Sequence, residues 1–231
     1  MSLLHAHKAL VDTAGYHGIG ISPVALARLN VRFRPTHVER IDGGGHRFAG
    51  REFDIEELQL GNRVFHGVQG YERHEASAGE FGAASFDAAI GRDFLQRYTV
   101  IVDYPKHRIE LHPAEPDPAH CGRPIAPIAA SPSGLIYSIV RTDAGPMRLA
   151  WDTGSTYSLI QKTVVDARGL RLHDERYATE RIALGRYNFG PHKMVALDLP
   201  GASDVDGVIG ANFFARHRVC FDYSTWAVSI R

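Results

Sequence analysis

Residues 87–104 read DAAIGRDFLQRYTVIVDY, and residues 206–223 read DGVIGANFFARHRVCFDY. The two align without a gap and agree at eight of eighteen positions, among them Ile90-Gly91 with Ile209-Gly210 and the closing Asp103-Tyr104 with Asp222-Tyr223. Such self-similarity marks one supersecondary unit used twice. A second pair lies upstream of the copies. Ala9-Leu10-Val11-Asp12-Thr13 precedes the first, and Leu149-Ala150-Trp151-Asp152-Thr153 precedes the second. Each is an apolar strand running into Asp-Thr and a Gly-containing turn. Helical signals follow both times: Ser22 as a cap with Pro23 at the first helical position, and Gln161 to Arg168 stopping at Gly169.

Most other segments are short β-branched or aromatic runs divided by Gly, Pro and Asn, such as LQLGNRVF at 58–65 and LIYSIV at 135–140. That pattern predicts an all-β protein with a few short helices. The stretch Pro113 to Gly134 is rich in Pro, Ala and Ser and predicts an extended connector rather than a packed element. The expected division is an N-terminal lobe over 1–115 carrying Asp12, a connector over 116–133, and a C-terminal lobe over 134–231 carrying Asp152. From Asp-Thr to Ile-Gly the first half is longer by 21 residues, Asp12 to Ile90 against Asp152 to Ile209. This is room for one more hairpin. The surplus includes residues 39–50, where Gly43, Gly44 and Gly45 suit a hairpin tip; the plainer alternative is a surface loop without a role. The first half has no counterpart of the opening hairpin strand at 134–142, so residues upstream are expected. The first twenty residues lack a signal-peptide layout, but a signal would lie in any such upstream segment, so localisation stays open.

At 231 residues, 44% hydrophobic and 23% charged, the chain can bury the core of one large or two small domains. Its formal net charge is zero and its charges are interspersed, which gives no electrostatic case for nucleic acid or an anionic membrane. No apolar run reaches membrane-spanning length. Thirteen histidines include no HxxxH or HExxH spacing, so no metal and no cofactor is expected. Cys121 and Cys220 are too few for a disulfide framework; two unrelated thiols are the expected reading, one bridge the alternative.

Asp152-Thr153-Gly154-Ser155-Thr156 after an apolar strand, with Val208-Ile209-Gly210 downstream, is the sharpest motif. Together with Gly91-Arg-Asp-Phe-Leu and Val100-Ile-Val-Asp-Tyr104 it makes the chain resemble the pepsin and retropepsin superfamily of aspartic proteases, closest to bacterial two-lobed members. The resemblance spans nearly the whole chain. It implies a bilobal acid-protease fold of two related β-barrel-like lobes, and an endopeptidase that takes an extended polypeptide between them. Asp12 and Asp152 would be the catalytic pair. Two like charges a few ångströms apart cannot both ionise, so such a pair holds one proton: one oxygen takes a proton from water while the other polarises the carbonyl. By the same resemblance Thr13 and Thr153 cross-brace the loops, Gly154 permits the turn, and Ser155 hydrogen-bonds its carboxylate. Ile90-Gly91 and Ile209-Gly210 pack behind the aspartates. Gly43 to Gly45 with His46 and Phe48 form a flap, without the tyrosine that pepsins keep there. Both lobes being on one chain, a monomer is expected.

The first loop departs from the pattern, reading Asp12-Thr13-Ala14-Gly15-Tyr16. Either Ala14 stands in for the glycine, or a residue is inserted and Gly15 takes the role. Alanine keeps the N–H but resists positive φ, and no hydroxyl follows it. On that account a protease-like fold retained as a peptide-binding or interaction module stays open; a fragment of a longer active protease stays open as a third reading.

Overall fold

A computed structural model describes residues 9–15, 18–29, 31–41, 47–73, 86–114 and 119–231. Three sheets organise the described residues, and the repeated units take part in all three. The first holds six strands: β1 (Ala9–Val11), β2 (Ile19–Ile21), β3 (Arg32–Ile41), β4 (Arg47–Leu60), β5 (Arg63–Glu72) and β6 (Ala88–Ile90), in the order β1-β6-β2-β5-β4-β3. Strands β7 (Tyr98–Asp103) and β8 (Arg108–Pro113) follow, then two short pieces, β9 (Ala126–Pro127) and β10 (Ala129–Ala130).

The second sheet, nine-stranded, is built from the second half. It takes β10, β11 (Ile136–Thr142), β12 (Gly145–Trp151), β13 (Leu159–Gln161), β14 (Arg176–Thr179), β15 (Ala183–Leu184), β16 (Tyr187–Asn188), β17 (His192–Leu197) and β18 (Gly207–Ile209). Equivalent strands make equivalent ladders. β1 runs parallel to β6 as β12 does to β18; β2 is antiparallel to β6 and parallel to β5, as β13 is to β18 and β17.

The third sheet joins the halves. With β19 (Arg218–Asp222) and β20 (Ala227–Ile230) its order is β8-β7-β19-β20-β9. At its centre β7 meets β19 antiparallel, and Ile101 pairs with Cys220, its own counterpart in the repeat; Val100 pairs with Phe221 and Val102 with Val219. Only a local two-fold through the Ile101–Cys220 pair maps one copy onto the other in this register. The duplicated sequence therefore builds a pseudo-symmetric molecule.

Two of the short helices, Pro23–Leu26 and Lys162–Arg168, sit where the punctuation predicts. α1 (Pro23–Leu26) opens on Ser22, whose hydroxyl accepts from Ala25 N–H at 3.2 Å. α2 (Arg92–Leu95) and α4 (Ala211–Phe214) are the repeat's own helices, and α3 (Lys162–Arg168) ends at Gly169, left-handed at φ 58°. The apolar residues of these elements share one core. Trp151 is fully buried among Phe213, Phe214 and Phe221, and its indole N–H donates to the Ser138 hydroxyl at 3.1 Å. Phe65, Phe94 and Tyr98 form the aromatic cluster of the first half.

Two expectations are corrected. Cys121 and Cys220 are bonded, with Cα atoms 5.3 Å apart across 99 residues of sequence. The Pro-rich stretch is also packed rather than merely extended: Cys121, Ala126 and Ile128 are buried, and β9 pairs with β20. Prolines fit there because β9 is an edge strand with one bonding side. No helix among the described residues is long and apolar enough to cross a membrane. Residues 1–8, the start of the first half, lie outside the described residues.

Candidate active site

β1 and β12 deliver Asp12 and Asp152 to the centre of the molecule, and the backbone treats them alike. Asp12 N–H donates to the Ile90 carbonyl and Asp152 N–H to the Ile209 carbonyl, both at 3.0 Å. Beyond the turn, Arg92 N–H donates to the Gly15 carbonyl at 2.9 Å and Ala211 N–H to the Ser155 carbonyl at 2.8 Å. Each loop is thus tied to the start of its repeat helix at two matching points. An ideal Cβ on Gly210 would collide with the Tyr157 carbonyl, so a side chain at this position would push the loop away.

The loops are also tied to each other. The Thr13 hydroxyl donates to the Trp151 carbonyl at 2.7 Å and accepts from Thr153 N–H at 3.1 Å. The Thr153 hydroxyl donates to the Val11 carbonyl at 2.6 Å and accepts from Thr13 N–H at 3.1 Å. Both threonines are buried, so these four bonds are protected from competing water.

Within each loop one carboxylate oxygen accepts two backbone N–H groups. Asp12 Oδ1 accepts from Ala14 at 3.0 Å and Gly15 at 2.8 Å; Asp152 Oδ1 accepts from Gly154 at 2.9 Å and Ser155 at 3.0 Å. This settles the register of the unusual first turn: Ala14 stands where Gly154 stands, and no residue is inserted. Neither position has positive φ, so the alanine meets no backbone strain. The expected hydroxyl support from Ser155 is corrected. Its Oγ donates to the Tyr157 carbonyl at 2.7 Å, and only its backbone N–H reaches Asp152. Gly15, lacking a hydroxyl, therefore costs Asp12 nothing.

What the glycine at 154 does serve is close approach. A Cβ there would lie 2.8 Å from Cγ of Asp12, so the carboxyl of one loop rests on the bare Cα of the other. Ala14, by contrast, packs against the apolar cluster of Leu135, Leu199 and Ala202 in the second half. The two carboxyls are close enough that each acts on the ionisation of the other. Burial pushes the pKa of Asp12 up, against the Gly15 and Ala14 N–H groups, Asp152 and the Arg73 guanidinium, which lower it. Asp152 is held well above the ordinary carboxylate range, by burial first and by the Asp12 charge second. Both keep partial solvent access. Two like charges this close disfavour ionising together.

Several residues around the pair carry no motif. Arg73, almost fully buried after β5, packs its guanidinium over Phe86 at 4.0 Å and acts electrostatically on Asp12. Behind the second loop, Ser158, His192 and Asn212 form a buried network, described below. Tyr104 donates its hydroxyl to the Thr153 carbonyl at 3.0 Å. Of these only Tyr104 left a trace in the sequence, as an identity of the repeat. Gly43, Gly44, Gly45 and His46 lie outside the described residues; Phe48 lies in β4, whose pairing with β3 from Ile41–Arg47 onwards forms a long hairpin. No cluster of three or more metal-ligating side chains occurs among the described residues.

Comparison with solved structures places this geometry. An aspartic proteinase from Irpex lacteus superposes with a TM-score of 0.61 over 95% of this chain and 88% of its own, at 13% identity. The soybean basic 7S globulin superposes at 0.57 with 10% identity over 95% and 86%, and conglutin gamma, a basic 7S globulin from lupine seeds, at 0.54 with 11% identity over 96% and 86%. No protein-family model matches the sequence, and no curated protein does. The class is therefore the bilobal, mostly β architecture of pepsin. The chain shares the fold of that Irpex lacteus aspartic proteinase, at a sequence distance where fold alone is shared.

Proposed function

We propose that the protein is an aspartic endopeptidase whose water is activated between Asp12 and Asp152. One observation supports this most: each carboxyl is held by an equivalent pair of backbone donors, and the Asp12 carboxyl rests against Gly154 of the opposite loop. In this reading Asp12, on which the Arg73 charge acts, is the base, and Asp152 carries the proton. Water attacks the scissile carbonyl carbon as Asp12 takes its proton and Asp152 gives its own to the carbonyl oxygen. The tetrahedral species then collapses: Asp12 protonates the leaving nitrogen and Asp152 recovers a proton from the hydroxyl oxygen, so the pair returns to its starting state. No covalent intermediate forms. An extended polypeptide would lie between lobes spanning about 1–115 and 134–231, with Gly43 to Gly45, His46 and Phe48 as flap, in a monomer.

The fold also occurs in two seed globulins, which favours keeping the peptide-binding reading as the competitor. The test is hydrolysis of a denatured protein or a quenched peptide library from acid to neutral pH by wild type, Asp12→Asn and Asp152→Asn. Cleavage by wild type alone supports the enzyme. Peptide affinity that survives both substitutions, with no cleavage by any form, favours the binding module.

A further inference from the structure

The two Asp-Tyr pairs that close the repeat are identical in sequence and different in wiring. Asp103 accepts from Lys106 N–H at 3.2 Å and so caps a single 3-10 turn, Tyr104–Lys106, which ends at the left-handed His107. The turn presents Tyr104 across the molecule. Its ring stacks on Phe214 of the second half, centroids 5.7 Å apart and planes at 26°, and its hydroxyl reaches the Thr153 carbonyl at 3.0 Å. Tyr223, its counterpart, is 6% exposed, and its hydroxyl has no hydrogen-bond partner among the described residues.

The carbonyl that Tyr104 reaches is not an ordinary one. Thr153 C=O and Gly154 N–H belong to one peptide group, and that N–H donates to Asp152 Oδ1 at 2.9 Å. A bond accepted at a peptide oxygen polarises the group and strengthens its N–H as a donor. A continuous chain therefore runs from the Tyr104 hydroxyl through one peptide to the carboxylate. We propose that Tyr104 is a positioning residue for the paired carboxyls: it holds the Thr153–Gly154 peptide and strengthens that peptide's bond to Asp152, a support that Tyr223 does not give the first loop.

The groups facing Asp152 are few. Asp12 lies opposite, Tyr104 lies beyond the peptide, and the Gly154 and Ser155 N–H groups hold one oxygen; Arg73 acts on Asp12 instead. Burial, and then the charges of Asp152 and Asp12, push the Tyr104 hydroxyl above its ordinary range, so it stays a donor wherever the carboxyls titrate. The kinetic part of the inference rests on the endopeptidase reading; the hydrogen-bond part does not.

The experiment compares Tyr104→Phe, which keeps the ring stack, with Tyr223→Phe. Four quantities are read: kcat and KM across pH, the Gly154 amide proton resonance, the Asp152 carboxyl titration by NMR, and the thermal midpoint. Tyr104→Phe is expected to lower kcat about fivefold with KM held, the equivalent of one ordinary hydrogen bond. It should also move the pH limb of Asp152 upwards and the Gly154 amide proton upfield. Tyr223→Phe should leave all of these in place. If the Gly154 resonance and the Asp152 titration stay fixed in Tyr104→Phe, the inference is wrong, even should the thermal midpoint fall. Equal shifts in both variants overturn it as well, because the asymmetry would then be false. If wild type cleaves nothing, the endopeptidase reading fails alone, and the two NMR readouts still decide this one.

Discussion

The two Asp-Thr loops share a backbone and differ in what stands behind it. In the second, Gly210 N–H donates to the Ser158 hydroxyl at 2.9 Å; in the first, the equivalent Gly91 N–H donates to the Gly18 carbonyl at 2.8 Å. Gly18 occupies the position of Ser158, and the Gln69 carbonyl of β5 presses so closely on it that no Cβ would fit. The second loop adds a side-chain network instead. Ser158 N–H and hydroxyl donate to Asn212 Oδ1 at 2.7 and 2.8 Å, Asn212 Nδ2 donates to the Lys193 carbonyl, and His192 Nε2 lies 2.8 Å from the Ser158 hydroxyl. A duplicated site conserves the requirement that each buried N–H be satisfied and leaves the choice of acceptor free.

The largest effect separates the carboxyls themselves. Asp152→Asn is expected to cut peptide hydrolysis by about 10²–10⁴-fold, the worth of a positioned acid or base. Stability should move the other way. Burial and Asp12 raise the folded-state pKa of Asp152 above its unfolded value, so its contribution is whole below the unfolded pKa and is lost as pH rises through the folded one. Asp152→Asn removes that loss, and urea denaturation at neutral pH should find the variant more stable than wild type. A less stable variant would mean that the carboxyl is ionised and well supported in the fold.

Gly154→Ala comes next. The added methyl would lie within 3 Å of three Asp12 carboxyl atoms: Cγ, Oδ1 and Oδ2. It must push the two aspartates apart, and a misplacement of about 1 Å at a reacting centre can cost about a hundredfold. The loss should appear in kcat rather than KM, because the peptide-binding surfaces are untouched.

The frame of this comparison was legible in the sequence and its support was not. The repeat spacing marked Asp12, Asp152 and the Ile-Gly pairs because those positions serve local geometry that recurs within each half. Ser22 and Gly169 were legible for the same reason. The Cys121–Cys220 bond, the stack of Tyr104 on Phe214 and the reach of Arg73 to Asp12 join residues that only the finished fold brings together, so no spacing encodes them. Ser155 was misread because its hydroxyl and its N–H lie in one residue and point to different partners. Ala14 raised a concern about positive φ that the loop's actual backbone does not impose.

A smaller effect tests the second loop's network. The Ser158 hydroxyl has one hydrogen, given to Asn212, and accepts from Gly210 N–H, so His192 can only donate to it through Nε2–H. Burial first, then Arg216 and His217, lower the His192 pKa to about 4. An unfolded histidine takes its proton near pH 6.5, the folded one only near 4, so the unfolded state binds more protons between these values. Stability is complete above this window and falls as pH drops through it, by up to about 3 kcal/mol. Denaturation midpoints of wild type against His192→Gln from pH 7 to 4 measure the slope; equal slopes would remove His192 as its source.

The smallest effect sets the first loop against the second most directly. Ala14→Gly rebuilds the Asp-Thr-Gly turn that the second loop already has. Were alanine strained there, the change would stabilise the protein and raise activity. Its φ is not positive, its N–H already donates to Asp12 Oδ1 at 3.0 Å, and it packs against the apolar cluster that includes Leu135, Leu199 and Ala202. The glycine variant therefore gains no hydrogen bond, loses that packing and adds freedom to the unfolded chain, a net destabilisation of about 0.5–1 kcal/mol. Its kcat should stay within about twofold of wild type, since half a kilocalorie is about that factor. A large rise in kcat would show that the alanine, rather than the shared backbone frame, limits the pair.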